Sequence, residues 1–231
     1  MKIPHRDNLF FEIAYHTIRI FLSPFVKLFW IKRVSGLENI PKEGAAILAF
    51  NHQSYFDFIC FIAVCPRHIH YLSAEKFFSS YFWRPVMKIM GQIKVERTSK
   101  NKNLLHSSIQ SHLKRGKLVG IFPEGTRSPH KEKMLEAFIG VARYAYHGNV
   151  PVIPIGIKGA YEVMSRFDEK PKIKKNIQII IGSPIDLSVY HKSKLNRKAF
   201  KVITNKIMLR ISELSGKSYP YKIYPPWPQK I

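Results

Sequence analysis

Six short apolar runs alternate with stretches of helical periodicity through most of this 231-residue chain. Such runs are typical of buried β-strands because they carry few polar side chains and end in polar turns. Strands that alternate with helices predict an α/β fold, a mixed layered sheet with helices on both faces. The predicted strands are residues 45–50, 69–73, 92–95, 118–122, 152–157 and 177–181, and the predicted helices are 56–63, 75–90, 104–115, 140–146 and 195–214.

The N-terminal segment differs from this pattern because it is apolar over more than one helical length. It lacks the small-residue cleavage site of a signal peptide. A polar stretch with glycine and proline, residues 34–44, follows it and is typical of a linker. We therefore divide the chain into N-terminal amphipathic membrane-binding helices, residues 1–33, and an α/β domain, residues 34–231.

Polar side chains recur in the N-terminal segment at spacings that place them on one side of a helix: Glu12, His16, Arg19, Ser23 and Lys27. They form a stripe about 80° wide, with apolar side chains around the rest. We expect one helix, or two broken at Pro24, embedded in one leaflet with the stripe turned to water or to the domain. The alternatives are a helix buried against the domain and a helix that spans the membrane, which the charged residues disfavour.

The charge of the chain requires a polyanionic partner. Thirty-eight basic residues against fifteen acidic ones give a formal net charge of +23. An anionic lipid surface agrees with this charge, whereas no zinc-finger spacing or RNA-recognition signature supports nucleic acid. The two cysteines, Cys60 and Cys65, have neither a disulfide framework nor metal-ligand spacing, which indicates a reducing environment.

A histidine and an aspartate follow the first predicted strand, in the segment Asn-His-Gln-Ser-Tyr-Phe-Asp at residues 51–57. In a continuous helix, positions five apart lie about 140° around the axis and do not meet. A contact between His52 and Asp57 therefore requires a turn or an irregular start to the next helix. His52 would then lie at the carboxyl end of a strand, where α/β sheets bind their ligands.

A second strand, residues 118–122, also ends in polar residues: Glu124, Gly125, Thr126 and Arg127. Four blocks, residues 51–57, 91–97, 122–128 and 150–156, follow one another in an order that resembles the glycerolipid acyltransferase family. The best-known members of that family convert lysophosphatidate to phosphatidate with an acyl thioester. The resemblance covers about residues 35 to 185.

The resemblance implies that His52 is the general base and that Asp57 orients its ring. Acyl transfer from a thioester to an alcohol needs a base and correct positioning, because the thiol is already a good leaving group and no protein nucleophile is required. A histidine paired with an aspartate can supply that base. No metal is expected beside His52 and Asp57. No cofactor is expected either, and acyl-ACP or acyl-CoA would be the co-substrate.

The acceptor phosphate requires donors, and Arg97 and Arg127 have the forked guanidinium suited to it. The resemblance adds Glu124, Gly125 and Thr126 as an acceptor-binding loop, in which Gly125 permits close backbone approach. Glu124 has an alternative role, which is to orient Arg127 or to cap the loop.

We therefore predict an enzyme that acylates the sn-2 hydroxyl of lysophosphatidate, peripheral or monotopic on the cytoplasmic face of the inner (cell) membrane. Its expected partners are lysophosphatidate, the acyl thioester, an anionic membrane surface and acyl carrier protein, and no nucleic acid is expected. The alternatives are an acyltransferase for another lysophospholipid or lyso-aminolipid, and a non-catalytic lipid- or nucleic-acid-binding protein.

Overall fold

A computed structural model describes residues 9–96, 102–190 and 194–221. The helices are α1 (Leu9–Phe29), α2 (Phe56–Val64), α3 (Glu75–Ser79), α4 (Trp83–Ile89), α5 (Asn103–Lys114), α6 (Gly140–Gly148), α7 (Ala160–Val163) and α8 (Arg197–Ser215). The strands are β1 (Ile31–Ser35), β2 (Ala46–Phe50), β3 (Ile69–Ala74), β4 (Ile93–Val95), β5 (Leu118–Ile121), β6 (Val152–Lys158) and β7 (Ile177–Ile181).

These strands form one seven-stranded sheet in the order β1-β7-β6-β2-β5-β3-β4. All neighbouring pairs are parallel except β6 and β7, which are antiparallel. The mixed α/β sheet predicted from the sequence is therefore confirmed. Because β2 lies between β5 and β6 and runs parallel to both, the three strands end at the same edge of the sheet.

Alternate side chains of β2 enter the two halves of the core, as the period of a strand requires. Leu48 and Phe50 pack in the cluster that includes residues of α2 and α7. Ile47 and Ala49 pack in the cluster that includes residues of α5, α6 and α8. The sheet therefore lies between two helical layers, and β2 is buried on both faces.

The polar linker predicted at residues 34–44 is wrong at its start, because residues 31–35 form β1. This strand pairs with β7 at the edge of the sheet. Its Lys32 and Arg33 are exposed, as charged residues on edge strands commonly are. Because they interrupt the apolar run, the sequence pattern does not predict this strand.

The predicted helix at residues 75–90 is two short helices, α3 and α4. Ser80 has extended backbone between them, and its hydroxyl accepts a hydrogen bond from the backbone N–H of Trp83. Pro85 explains the break, because a proline inside one long helix would remove a hydrogen bond. Within the first turn of α4 the missing N–H has no helical partner to lose.

Helix α1 is continuous through Pro24, so the segment is one helix rather than two. Its polar stripe faces the domain. Arg19 Nη1 donates a 2.8 Å hydrogen bond to the carbonyl of Cys65, just after α2, and Ser23 is buried. Glu12 contacts Lys117, with Nζ 3.0 Å from Oε1. Lys27, by contrast, is exposed.

The outward side of α1 is apolar and exposed. This is the reverse of an ordinary surface helix, whose apolar side faces the core. By length and composition α1 is able to cross a membrane. The exposed large apolar side chains of α1 are Leu9, Phe10, Ile13, Ile18, Ile20, Phe21, Leu22, Phe25, Leu28 and Phe29.

Candidate active site

The candidate site lies where β2 and β5 end side by side at the carboxyl edge of the sheet. Asn51 follows β2, and its side chain forms two hydrogen bonds with the backbone of Ile157 on β6. Nδ2 donates to the carbonyl at 2.9 Å, and Oδ1 accepts from the N–H at 2.8 Å. The chain is therefore still attached to the sheet one residue before His52.

His52 and Asp57 are in contact, as the sequence predicted. Nδ1–H of His52 donates to Oδ2 of Asp57 at 2.9 Å, and Asp57 is fully buried. Residues 51–55 form the required turn, and α2 begins at Phe56, so Asp57 lies in the first helical turn. A carboxylate is favoured there by the helix dipole.

The same carboxylate oxygen also holds the turn that carries His52. Oδ2 of Asp57 accepts the backbone N–H groups of Gln53 at 2.7 Å and of Ser54 at 2.8 Å. An oxygen that accepts three donors has one preferred position, so Asp57 is fixed by the segment that it orients. Because Nδ1 of His52 carries the proton, Nε2 carries the lone pair.

The backbone of His52 is held on both sides by the segment that follows β5. Its N–H donates to Oε1 of Glu124 at 2.8 Å, and its carbonyl accepts from the N–H of Ser128 at 2.7 Å. The ring of Phe122 stacks on the imidazole with centroids 4.0 Å apart. These contacts join the first and third motif blocks into one unit.

Glu124 has the contacts of a positioning residue. It is 2% exposed, and its second oxygen accepts the N–H of Leu135 at 2.6 Å. Burial raises the pKa of Glu124 to about 8, although both backbone hydrogen bonds oppose that rise. Binding of substrate by Glu124 stays a prediction, and the contacts that the structure shows are with His52 and Leu135.

Arg127 lies next to the His52 turn. Its guanidinium carbon is 3.9 Å from the centre of the Tyr55 ring, a cation–π arrangement, and Nη1 lies 3.5 Å from the carbonyl of Ser165. Because the face of the guanidinium stacks on Tyr55, the N–H groups at its edge are directed to the side, where they can donate to an anion. The structure therefore brings Arg127 to the same edge of the sheet as His52.

Gly125 and Thr126 form the turn between Glu124 and Arg127. Gly125 has φ +69°, and a Cβ there would lie 2.8 Å from the ring of Phe138, so the position requires glycine. Thr126 is exposed. Arg97 lies outside the described residues, and its predicted role in binding phosphate stays a prediction.

Gln53 and Ser128 are buried and support the site, yet the sequence assigned them no role. Nε2 of Gln53 donates to the carbonyls of His130 at 2.7 Å and Lys131 at 2.6 Å. Oγ of Ser128 donates to the carbonyl of Lys133 at 2.7 Å. Their positions inside the first and third blocks are the sequence feature that points to a role in the site. Their hydrogen-bond partners are backbone carbonyls, which no residue type reveals.

A family model named Acyltransferase matches residues 32–158, more than half of the chain. That interval contains the turn at residues 51–55, which carries His52, and residues 124–127, which end at Arg127. The chain belongs to this acyltransferase family.

Curated relatives and a solved structure extend the likeness. The 1-acyl-sn-glycerol-3-phosphate acyltransferase of Bacillus subtilis is 27% identical over 80% of this chain and 88% of its own length. A chloroplastic enzyme of the same name from Arabidopsis thaliana is 28% identical over 91% of this chain but 55% of its own length. The crystal structure of PlsC from Thermotoga maritima matches with a TM-score of 0.65 at 20% identity, covering 90% of this chain and 96% of that one. This structural match shows the fold.

We expect Glu124→Gln to impair catalysis and stability together. Each oxygen of Glu124 accepts one N–H, and both keep acceptor capacity whether the carboxyl is ionised or protonated. The NH₂ group of glutamine cannot accept, and it must face the N–H of either His52 or Leu135. The lost hydrogen bond and unpaired donor cost about 1–3 kcal/mol. Urea unfolding and initial rates of acyl transfer measure both effects.

Glu136→Gln is the matched control, because Glu136 is exposed and pairs with Lys201 at the surface. Equal stability and turnover of the two variants would contradict the positioning role of Glu124.

Proposed function

We propose that this protein is a 1-acyl-sn-glycerol-3-phosphate O-acyltransferase, which transfers an acyl chain from a thioester to the sn-2 hydroxyl of lysophosphatidate and forms phosphatidate. The observation that carries the proposal is the contact of 2.9 Å between His52 and Asp57 at the carboxyl edge of the sheet, in a chain of the acyltransferase family. The names of the Bacillus and Arabidopsis relatives support this choice of substrate.

The first chemical step is attack of the acceptor hydroxyl on the thioester carbonyl. Nε2 of His52 accepts the hydroxyl proton while the oxygen forms its bond to the carbonyl carbon. Asp57 holds the Nδ1–H tautomer and stabilises the imidazolium that results. The carbon–sulfur bond then breaks, the ester is complete, and the thiolate leaves and takes the proton from His52.

The acceptor is recognised by its phosphate. Arg127, held against Tyr55, offers a bidentate donor beside the His52 turn. Arg97 is proposed as a second donor from its motif block. The donor is an acyl thioester of a phosphopantetheine arm, which acyl carrier protein and coenzyme A share, and both are acidic partners for a chain of net charge +23.

An assay of the purified protein with a labelled acyl thioester and a panel of lysolipids tests the proposal. We expect lysophosphatidate to be the best acceptor and phosphatidate to be the product. His52→Ala should lower turnover by roughly two to four orders of magnitude, since that is the usual contribution of a general base. Preference for an acceptor without phosphate would favour the lyso-aminolipid alternative, and full activity of His52→Ala would contradict the mechanism.

Arg127→Ala should raise the KM for lysophosphatidate far more than the KM for the thioester, because the phosphate loses a charged bidentate contact worth roughly 1.5–3 kcal/mol. Arg143→Ala, an exposed arginine on α6, is the control and should change neither. If Arg127→Ala weakens use of the thioester alone, Arg127 serves the donor and our assignment fails.

We also propose that the enzyme is monotopic on the cytoplasmic face of the cell membrane, with α1 lying in one leaflet. The outward apolar side of α1 and the attachment of its polar stripe to the domain support this arrangement. A helix that crossed the bilayer would have to separate Arg19 from Cys65 and Glu12 from Lys117. The basic surplus adds attraction to anionic lipid.

The double variant Phe21→Glu with Phe25→Glu should detach the protein from anionic vesicles in a flotation assay. Both side chains are exposed on α1, and full burial of each in lipid is worth at least about 1.5 kcal/mol, so the pair contributes about 3 kcal/mol, about a hundredfold in partition. Ile173→Glu, at an exposed apolar position in the loop before β7, should leave binding unchanged. Retention of the double variant on vesicles would contradict this orientation of α1.

A further inference from the structure

Helix α1 and strand β3 bring imidazoles and a carboxylate together at the edge of the sheet opposite the candidate active site. Glu12 and His16 are one turn apart on α1, so they share a face of the helix. His68 immediately precedes β3 and His70 is its second residue, and the two rings stack with centroids 4.4 Å apart. Because β3 is parallel to β5, its start lies far from the edge that carries His52.

The ligand atoms of three of these residues form a compact group. One carboxylate oxygen or ring nitrogen from each of Glu12, His68 and His70 lies within 4.8 Å of the other two. Nδ1 of His68 is 2.9 Å from Oε2 of Glu12. The ring of Tyr15 stacks on His68 with centroids 3.7 Å apart and fixes its plane.

The other ring nitrogen of each histidine is oriented by a backbone carbonyl. Nε2 of His68 lies 3.1 Å from the carbonyl of Met90, and Nδ1 of His70 lies 2.7 Å from the carbonyl of Gly91. Donation of the second N–H to a backbone carbonyl is how metal-binding histidines are usually held. Gly91 permits the close approach, since a Cβ there would lie 2.8 Å from His70 Nδ1.

Of the two remaining nitrogens, Nδ1 of His68 contacts Glu12, whereas Nε2 of His70 has no hydrogen-bond partner among the described residues. Nε2 of His70 is buried, in a side chain only 7% exposed. If Nε2–H of His68 donates to Met90, the lone pair on Nδ1 faces the carboxylate of Glu12. Two acceptors in contact require a cation between them, which is either a proton or a metal ion.

We propose that Glu12, His68 and His70 bind one divalent transition-metal ion of the zinc type, which fastens α1 to the domain. Two imidazoles and one carboxylate are a common ligand set for such ions. Lys117 occupies Oε1 of Glu12, so the carboxylate binds through Oε2 alone. His16, whose Nε2 is 4.0 Å from that oxygen, lies outside the compact group and would have to rotate to supply a fourth ligand.

Isothermal titration of the untagged full chain in detergent, stripped with a chelator, tests the proposal with Zn²⁺ as the probe. We expect one Zn²⁺ per chain, a rise in Tm on binding, and no binding of Mg²⁺, which prefers oxygen ligands. Glu12→Gln, a partly exposed position, and His70→Ala should each weaken Zn²⁺ binding more than about tenfold, since loss even of an outer partner costs that much.

His147→Ala, an exposed histidine on α6, is the control and should bind Zn²⁺ like the wild type. If His70→Ala fails to fold, Glu12→Gln decides the question alone, because glutamine has the shape of glutamate. Failure of the wild type to bind Zn²⁺ at micromolar concentrations would overturn the proposal, as would equal affinity of Glu12→Gln and His147→Ala. Neither result bears on acyl transfer, since His52 and Asp57 take no part.

Discussion

The hydrogen bond between His52 and Asp57 depends on the turn that joins β2 to α2. Asp57 accepts two backbone N–H groups of that turn as well as the imidazole N–H, so one buried carboxylate fixes both the ring and the backbone that carries it. Glu124 and Ser128, in the segment that follows β5, then hold the N–H and the carbonyl of His52. In the proposed mechanism, a base whose position is fixed in this way accepts a hydroxyl proton without rearrangement.

Helix α2 connects this site to the outer helix of the protein. Its first turn carries Asp57. Just after its last turn, the carbonyl of Cys65 accepts a hydrogen bond from the guanidinium of Arg19 on α1. The apolar side of α1 is thereby turned outward while its polar side is attached to the domain. In the proposed enzyme, α1 and α2 would keep His52 at a fixed distance from the membrane that contains the acceptor lipid.

Local sequence patterns predicted the parts of the fold and site that depend on local chemistry. Buried strands are apolar on both faces, so β2, β5 and β6 were evident, and the spacing of His52 and Asp57 predicted a turn that the structure confirms. Strand β1 was missed because its exposed basic residues hide the strand pattern.

Contacts between distant segments could not be predicted from local patterns. Glu124 accepts a hydrogen bond from the backbone N–H of His52. Every residue except proline has this N–H, so the sequence gives no indication of the contact. Glu12 meets His68 across 56 residues, and only the packing of α1 on the domain brings them together. The spacing of the polar residues predicts the stripe on α1 but does not predict whether the stripe faces water or the domain. The contacts of Arg19 and Glu12 decide in favour of the domain.

Neutral His52 presents an unprotonated Nε2 because Asp57 holds its Nδ1–H. Nitrogen NMR of the histidine-labelled full chain, with the His52 signals assigned by their loss in His52→Gln, measures the tautomer directly. We expect neutral His52 to be protonated on Nδ1 and Asp57→Asn to disturb this preference. A neutral His52 with its proton on Nε2 in the wild-type protein would contradict this expectation.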